Sequence, residues 1–216
     1  AITLGGSAIS GSPFSSVVSA GALDHFNVTN TSDAAIGAQT AGTSFTIRVR
    51  AKDANNNTVP SFTGTVDLTS TGTLTGAPIT TAAFTAGELL SQAVTITNTG
   101  SFTITATRTS GGAQAGTSAS FTVSAGAANP GTSTASVPAG TAGSVTTITV
   151  QAKDASGNNR TNATGITAVA ASVTGANTAT PSVTNNGNGT YTLTYTPTAS
   201  GTDNVAITMN VGAGAV

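Results

Sequence analysis

Residues 46–54 read Thr-Ile-Arg-Val-Arg-Ala-Lys-Asp-Ala, and residues 147–155 read Thr-Ile-Thr-Val-Gln-Ala-Lys-Asp-Ala. Each position of the first stretch stands 101 residues before its counterpart, so that Lys52 corresponds to Lys153. Self-similarity at a fixed period indicates a chain that is built from repeated structural units. We therefore interpret the 216-residue sequence as two copies of one module.

A second shared phrase marks where each module begins. Val-Ser-Ala-Gly-Ala occupies residues 18–22 and recurs at residues 123–127, 105 positions later. The boundaries that follow are residues 21–126 for the first module and residues 127–216 for the second. Residues 1–20 precede both modules.

Both modules show an alternation of apolar and polar residues with a period of two, which is typical of half-buried strands. Apolar residues alternate with Thr, Arg and Lys along residues 45–52, and Tyr191, Leu193 and Tyr195 alternate with threonines. Segments rich in Asn, Gly and Ser, such as residues 186–189, separate the runs and predict turns. No stretch has a helical period. The sequence therefore predicts an all-β chain of two tandem immunoglobulin-like (Ig-like) β-sandwiches.

Seven strands are predicted in the first module and six in the second. Their ranges are 23–29, 43–53, 63–70, 79–84, 90–98, 101–109 and 117–124, then 133–137, 145–153, 165–172, 180–185, 189–196 and 203–211.

The composition excludes several classes of function. Only 6% of the residues are charged and the net charge is -1, so the chain lacks the basic surface that binds nucleic acid. No apolar run approaches the ~20 residues that cross a bilayer, so no membrane insertion is expected. Cysteine is absent, which excludes disulfides and thiolate metal sites.

The reactive side chains are too few and too scattered to predict an enzyme. His25 is the sole histidine and Glu88 the sole glutamate. Asp24 precedes His25, but neighbouring side chains on a strand point to opposite faces, so we expect the two not to converge. No catalytic residue, cofactor or metal site is predicted.

Two further polar features have structural interpretations. Asp53 and Asp154 each begin a loop rich in Asn, and such loops either hold calcium or stabilise turns by bonding their own backbone. Each loop has one carboxylate, which favours the turn. Arg48, Arg50 and Lys52 share one strand face, and we expect this strip to be solvated.

Residues 188–197, Asn-Gly-Thr-Tyr-Thr-Leu-Thr-Tyr-Thr-Pro, followed by Gly201, resemble the fifth strand and following turn of filamin-type Ig repeats. Gly-Ser-Pro-Phe at residues 11–14, preceded by Gly5 and Gly6, resembles the last-strand motif of that family. The resemblance implies a structural or adhesive role and no catalytic residues. That motif lies ahead of both modules rather than at their end.

The first module, with Ala-Lys-Asp at residues 51–53 and Phe-Thr-Gly-Thr-Val at residues 62–66, is similar to the Ig-like modules of bacterial surface proteins. This resemblance implies an extracellular location at the bacterial cell surface.

The second module is expected to lack its last strand, and residues 1–20 are expected to be an orphan last strand. The shared phrase places residues 14–18 where residues 119–123 stand in the first module. Either the chain is one link of a longer tandem array, or separate chains polymerise by donating this strand to a neighbour, which would satisfy an open sheet edge. The expected inter-unit contacts are Ile2, Leu4, Pro13, Phe14, Val18, Tyr191, Leu193, Tyr195 and Ile207.

The function expected from these observations is non-enzymatic and structural. The chain would be a repeating head-to-tail unit of a surface fibre, stalk or long adhesin, with identical neighbouring units as its partners. The alternative is an adhesive module that recognises a glycan or a host receptor. Tyr191 and Tyr195 count against it, because their strand parity places them in a core and not on an aromatic binding platform.

Overall fold

The structure is a computed structural model that describes residues 3–8, 10–11 and 15–212. Every helix or strand in these ranges is a β-strand, as the sequence predicts. The strands are β1 (Thr3–Leu4), β2 (Ser7–Ala8), β3 (His25–Asn30), β4 (Gln39–Thr40), β5 (Phe45–Lys52), β6 (Val66–Ser70), β7 (Ile79–Thr80), β8 (Glu88–Val94), β9 (Gly100–Phe102), β10 (Ile104–Arg108), β11 (Ala115–Thr117), β12 (Phe121–Ser124), β13 (Thr134–Ser136), β14 (Thr146–Gln151), β15 (Ile166–Gly175), β16 (Ser182–Asn185), β17 (Thr190–Tyr195) and β18 (Asp203–Val211).

The first module is a sandwich around one core, and its strand pairs are antiparallel except for the parallel pair of β4 and β12. One face has the strand order β3-β5-β8, and the other has β11-β10-β6-β7, continued by β4-β12-β9. The inward positions of β5, Ile47, Val49 and Ala51, are fully buried, which confirms the predicted alternation. Three phenylalanines, Phe26, Phe62 and Phe84, pack edge to face or tilted at one end, an arrangement that aromatic quadrupoles favour.

The second module has fewer strands, and its β16 pairs with β17, whereas β7 of the first module pairs with β6 in the opposite sheet. The sheets of the second module have the orders β13-β14-β17-β16 and β15-β18. Ile148 lies opposite Leu193 on β14 and β17, and both are fully buried. Five buried residues form this core cluster, against 21 in the first module, among the residues that the structure describes.

The structure corrects the prediction of the last strand of the first module. The predicted strand 117–124 is two short strands, β11 and β12, with an irregular connection at residues 118–120. The alternation breaks there, so Ser118 is buried and Ala119, which the pattern placed inside, is exposed. The Ser118 hydroxyl explains the break, because it accepts a hydrogen bond from Ile104 N–H and donates one to Ala119 O.

Residues 1–20 are also not one continuous strand where the structure describes them. β1 and β2 pair with each other as a hairpin, and Gly5 and Gly6 at its turn have φ angles of 59° and 81°. Glycine adopts such positive φ angles without steric cost. Residues 15–20 follow without strand pairing. The described part of the chain holds no helix long and apolar enough to cross a membrane.

Candidate functional site

The repeated Asp loops tie the start of each module to its body. The Asp53 carboxylate accepts hydrogen bonds from Gly21 N–H (2.8 Å), Asn55 N–H (2.9 Å), Asn57 N–H (2.8 Å) and the Asn57 side chain (3.1 Å). The bonds from Gly21 and from the Asn57 side chain lower the pKa of Asp53 from 3.8 to about 2. The loop is thus a turn that holds the module's first residue, which agrees with the turn interpretation.

Asp154 repeats this arrangement in the second module. Its carboxylate accepts hydrogen bonds from Gly126 N–H (2.9 Å), Ser156 N–H (2.9 Å) and Asn158 N–H (2.9 Å). Burial raises the pKa of Asp154, but the hydrogen bonds from Asn158, Gly126 and Ser156 outweigh it and hold the pKa below its ordinary value. Both oxygens of each carboxylate already accept hydrogen bonds from N–H groups. A calcium ion would need these oxygens, together with several others, as its own ligands. The described residues contain no group of three or more His, Asp or Glu side chains that could hold a metal ion.

The two modules meet without a free linker. Ser124 belongs to the first module, because its carbonyl accepts a hydrogen bond from Ala41 N–H at 2.8 Å. The predicted boundary placed Gly126 at the end of the first module, but its hydrogen bonds are made with the second, because Asp154 holds its N–H and the buried Arg160 guanidinium donates to its carbonyl. Only Ala125 lies between them.

One side-chain hydrogen bond crosses directly from the second module to the first. Asn158 Nδ2, besides bonding Asp154, donates to Thr97 O at 2.8 Å. Beside it the chain is packed closely, since a Cβ on Gly42 would lie 3.0 Å from Ser156 Oγ. We call residues 124–126 with Thr97, Asp154, Asn158 and Arg160 the joint.

In the second module, the sheet edge formed by β18 is open. β18 pairs with β15 on one side, and no described residue pairs with its other side. The corresponding strand of the first module, β10, lies between β6 and β11. Ile104 and Ala106 on β10 are fully buried, whereas their counterparts 101 residues later, Val205 and Ile207, are only half-buried.

Two cavities lie between this edge and residues 133–142. The smaller, about 160 Å³, is lined by Ala135, Val150, Ile207 and Met209 among others. The larger, about 570 Å³, is lined by residues that include Val137, Gly140, Tyr195 and Val205. We call the two cavities and the unpaired side of β18 the open edge.

The open edge stands where the first module keeps its last strand. There β12 lies between β4 and β9, paired parallel with β4 and antiparallel with β9. By the 101-residue repeat, residues 140–141 are the counterparts of β4 and residues 201–203 those of β9. The second module therefore presents both sides of a strand-sized gap.

Residues 127–211 match the family of the Filamin/ABP280 repeat. The matched residues make up nearly all of the second module, which is thus similar to this repeat. The stretch 188–197, on which the predicted resemblance rested, lies inside the matched range and forms β17 with its following turn. No curated protein sequence matches the chain.

Solved structures with similar folds include three large proteins. Invasin, described as a bacterial integrin-binding protein, is 23% identical over 81% of this chain and 34% of its own, with a TM-score of 0.37. FdeC, an Escherichia coli adhesin, is 26% identical over 90% of this chain and 62% of its own, with a TM-score of 0.46. Domains 1–6 of the surface-layer protein SbsC are 21% identical over 80% of this chain and 21% of their own, with a TM-score of 0.33. The chain spans about a third of the invasin structure.

The predicted inter-unit residues lie on the second module, in the described part of the N-terminal segment, or outside the described residues. On the second module, Ile207 and Tyr195 line the open edge, whereas Tyr191 and Leu193 are buried within the module's own core. Val18 is 90% exposed. Leu4 lies on β1. Ile2, Pro13 and Phe14 lie outside the described residues.

The candidate reactive groups are paired in ways that the sequence did not indicate. His25 Nδ1 lies 3.0 Å from Asp24 Oδ2, so the prediction that they would not converge is wrong. Asp24 lies just before β3, where strand alternation does not apply. The basic strip is not solvated either, because Glu88 accepts hydrogen bonds from Arg48 at 2.9 Å and from Arg50 at 2.8 Å.

Sequence reasoning missed the residues that make the joint. Asn158 has a repeat counterpart in Asn57, and that identity was the available signal. Arg160 has Val59 as its counterpart, so a departure from the repeat marks the residue that holds the Gly126 carbonyl.

Proposed function

We propose that the chain is a non-enzymatic structural unit of an extracellular bacterial surface fibre, stalk or long adhesin, in which successive Ig-like modules are joined head to tail. The joint is the observation that carries the proposal. A connection of one residue is held by a backbone hydrogen bond at Ser124 and by the side chains of Asp154 and Arg160 at Gly126, so it keeps two modules in a fixed relation and transmits tension between them.

The surface chemistry supports the same role. Only 6% of the residues are charged, so modules can lie close together without charge repulsion. Some of the few charges on the first module are paired, since Arg50 pairs with both Glu88 and Asp33. Extended strands such as β5 and β18 supply many hydrogen bonds that resist separation of the strands.

The alternative, a glycan- or receptor-binding module, finds less support. Aromatic platforms for sugars need exposed rings, and Tyr191 is 4% exposed. Tyr195 is half-buried and its hydroxyl donates to Asp203 at 3.0 Å. A glycan-array screen of the chain is expected to give no specific signal, and a reproducible hit would favour the alternative.

Small-angle X-ray scattering of the dilute chain tests the structural role. We expect a single arrangement of the two modules, and a broadened distribution of intermodule distances in Asn158→Ala, which removes the bond to Thr97. Asn57→Ala is the matched control, because it removes the same side chain at the free end of the first module. Two modules that reorient freely in the unmodified chain would contradict the proposal.

A further inference from the structure

The joint has two parts, the Thr97 carbonyl of the first module and the Asp154 loop of the second. Each part has a repeat copy elsewhere in the chain, and that copy stands without the opposite part. The loop conformations show that the copies are equivalent: Gly42 N–H donates to Ile96 O at 2.9 Å, and Gly143 N–H donates to Pro197 O at 2.7 Å. Thr198 of the second module therefore stands where Thr97 stands in the first, and its side chain is exposed.

The start of the first module, which we call its head, repeats the part of the joint that lies on the second module. Asp53 holds Gly21 and Asn57 as Asp154 holds Gly126 and Asn158. Asn158 reaches across to the neighbouring module, whereas Asn57 is exposed. Residues 18–20 and 57–61 line a cleft of about 730 Å³ at this head.

The segment before Gly21 matches the gap at the open edge. By the 105-residue spacing of the shared phrase, residues 15–19 are the counterparts of residues 120–124, which contain β12. Val123 of β12 is 3% exposed in the first module, whereas its counterpart Val18 is 90% exposed. An exposed apolar segment and an unpaired strand edge are the two surfaces that strand addition brings together.

The side chains that meet β12 in the first module share one chemical character, and so do their counterparts at the open edge. In the first module Phe121 of β12 packs against Phe45 with ring centroids 5.7 Å apart, and it lies opposite Phe102. The counterparts of Phe45 and Phe102 in the second module are Thr146 and Asp203.

The counterpart of Phe121 in the N-terminal segment is Ser16, so an aromatic trio is replaced by a polar one. Thr146 is 3% exposed, and its hydroxyl has no hydrogen-bond partner among the described residues. It lies against Gly140 of the larger cavity, since a Cβ there would be 2.5 Å from Thr146 Oγ1. Buried hydroxyls rarely stay unpaired.

We infer that a second copy of this chain docks head to tail on the open edge. Residues 15–20 of one copy add as a strand between residues 140–141 and residues 201–203 of the other, at the start of β18. Ser16 then bonds the Thr146 hydroxyl, and Asn57 donates to Thr198 O. This contact repeats the joint between copies. Head-to-tail contacts that do not close on themselves generate open filaments. The inference rests on the proposed function and names its partner.

Disulfide trapping between two single-cysteine chains tests the register, since the chain has no cysteine of its own. Thr122 lies opposite Ser101 in the first module, so Val17 of one copy should lie opposite Thr202 of the other. We expect Val17→Cys to form a disulfide-linked dimer with Thr202→Cys. Thr208→Cys is the matched control, because Thr208 is exposed like Thr202 but lies about 20 Å further along the chain, on β18.

Equal trapping at Thr202 and Thr208, or none at either position, would overturn the inference. The scattering test of the single chain is unaffected by that outcome, so failure of docking is distinguishable from failure of the proposed structural role.

Association measured by sedimentation velocity supplies the second test. Ser16→Ala is expected to weaken association about fivefold, the effect of one lost hydrogen bond, whereas Ser15→Ala, at the outward position, should leave it unchanged. The double variant Ser16→Phe with Thr146→Phe would recreate the pair Phe45–Phe121 and should restore association relative to either single change. An unmodified chain that stays monomeric at millimolar concentration would refute the docking.

Discussion

The organisation of each module depends on one aspartate, whose carboxylate accepts hydrogen bonds from N–H groups. Asp53 and Asp154 are 2% and 1% exposed, and each closes its own loop and holds the glycine that begins its module. A carboxylate accepting several N–H bonds is stabilised in its charged form. The same residue thus shapes a turn and anchors a chain segment 32 or 28 residues away.

The depressed pKa of Asp53 gives stability a defined dependence on pH. The folded value of about 2 lies below the ordinary 3.8, so the native state binds fewer protons than the unfolded chain between these values. The contribution is fully present above about pH 4 and is lost as the pH falls towards 2. Urea midpoints between pH 2 and 6 should show this loss, and Asp53→Asn should flatten it.

Asp24→Asn serves as the matched control, because this carboxylate is largely exposed. A pH profile of Asp53→Asn that runs parallel to that of the unmodified chain over the same range would show that the hydrogen bonds at Asp53 do not stabilise the fold.

Removal of divalent metal should leave the fold unchanged. The N–H groups of Gly21, Asn55 and Asn57 occupy the oxygens of Asp53 that calcium would need. We expect melting temperatures in calcium and in chelator to agree within about 2 °C, since ~1 kcal/mol shifts Tm by only a few degrees. A fall of more than about 10 °C in chelator would reveal a structural ion.

Among the elements, β10 and β18 show what a missing neighbour does to a strand. Both hold apolar residues at alternate positions, yet the inward side chains of β10 are fully buried and those of β18 are half-buried. The difference arises because β11 and β12 cover one side of the first module's sheet. Burial here depends on the neighbour and not on the strand's own sequence.

Amide hydrogen exchange should expose this asymmetry. In β18, amides that point towards β15 are bonded, and the alternate ones face the open edge. We expect the alternate amides to exchange at least about tenfold faster in a dilute sample, while β10 is protected along both sides. Uniform protection of β18 in a demonstrably monomeric sample would contradict the open edge.

At the scale of the whole molecule, the modules differ in the size of their buried cores although they share a fold class. The first has a core cluster of 21 buried residues and the second of five. Buried apolar area is the main favourable term in folding. The second module is therefore the weaker one until its open edge is covered.

Denaturant titration can resolve the two modules, because both tyrosines of the sequence, Tyr191 and Tyr195, lie in the second. Tyrosine fluorescence then reports on that module alone, while far-ultraviolet circular dichroism reports on both. We expect the fluorescence transition at lower urea, followed by a second transition in the dichroism. Coincident transitions would mean that the joint couples the modules into one cooperative unit.

The sequence by itself determined the all-β class and the alternation within the longer strands. The period of two places alternate side chains on opposite faces, so β5, β14 and β17 could be assigned with their buried positions. The repeat of Ala-Lys-Asp predicted two equivalent turns, which Asp53 and Asp154 make. Such features are local, since they depend on residues within a few positions of one another.

Only the tertiary structure decided what lies between distant residues. Glu88 meets Arg48 and Arg50 because β8 lies beside β5, 40 and 38 residues away in sequence. Asn158 reaches Thr97 across 61 residues because the joint sets the orientation of two modules. No alternation within a strand encodes which strands become neighbours or which edge stays open, because those follow from how the two sheets pack and not from any single stretch of sequence.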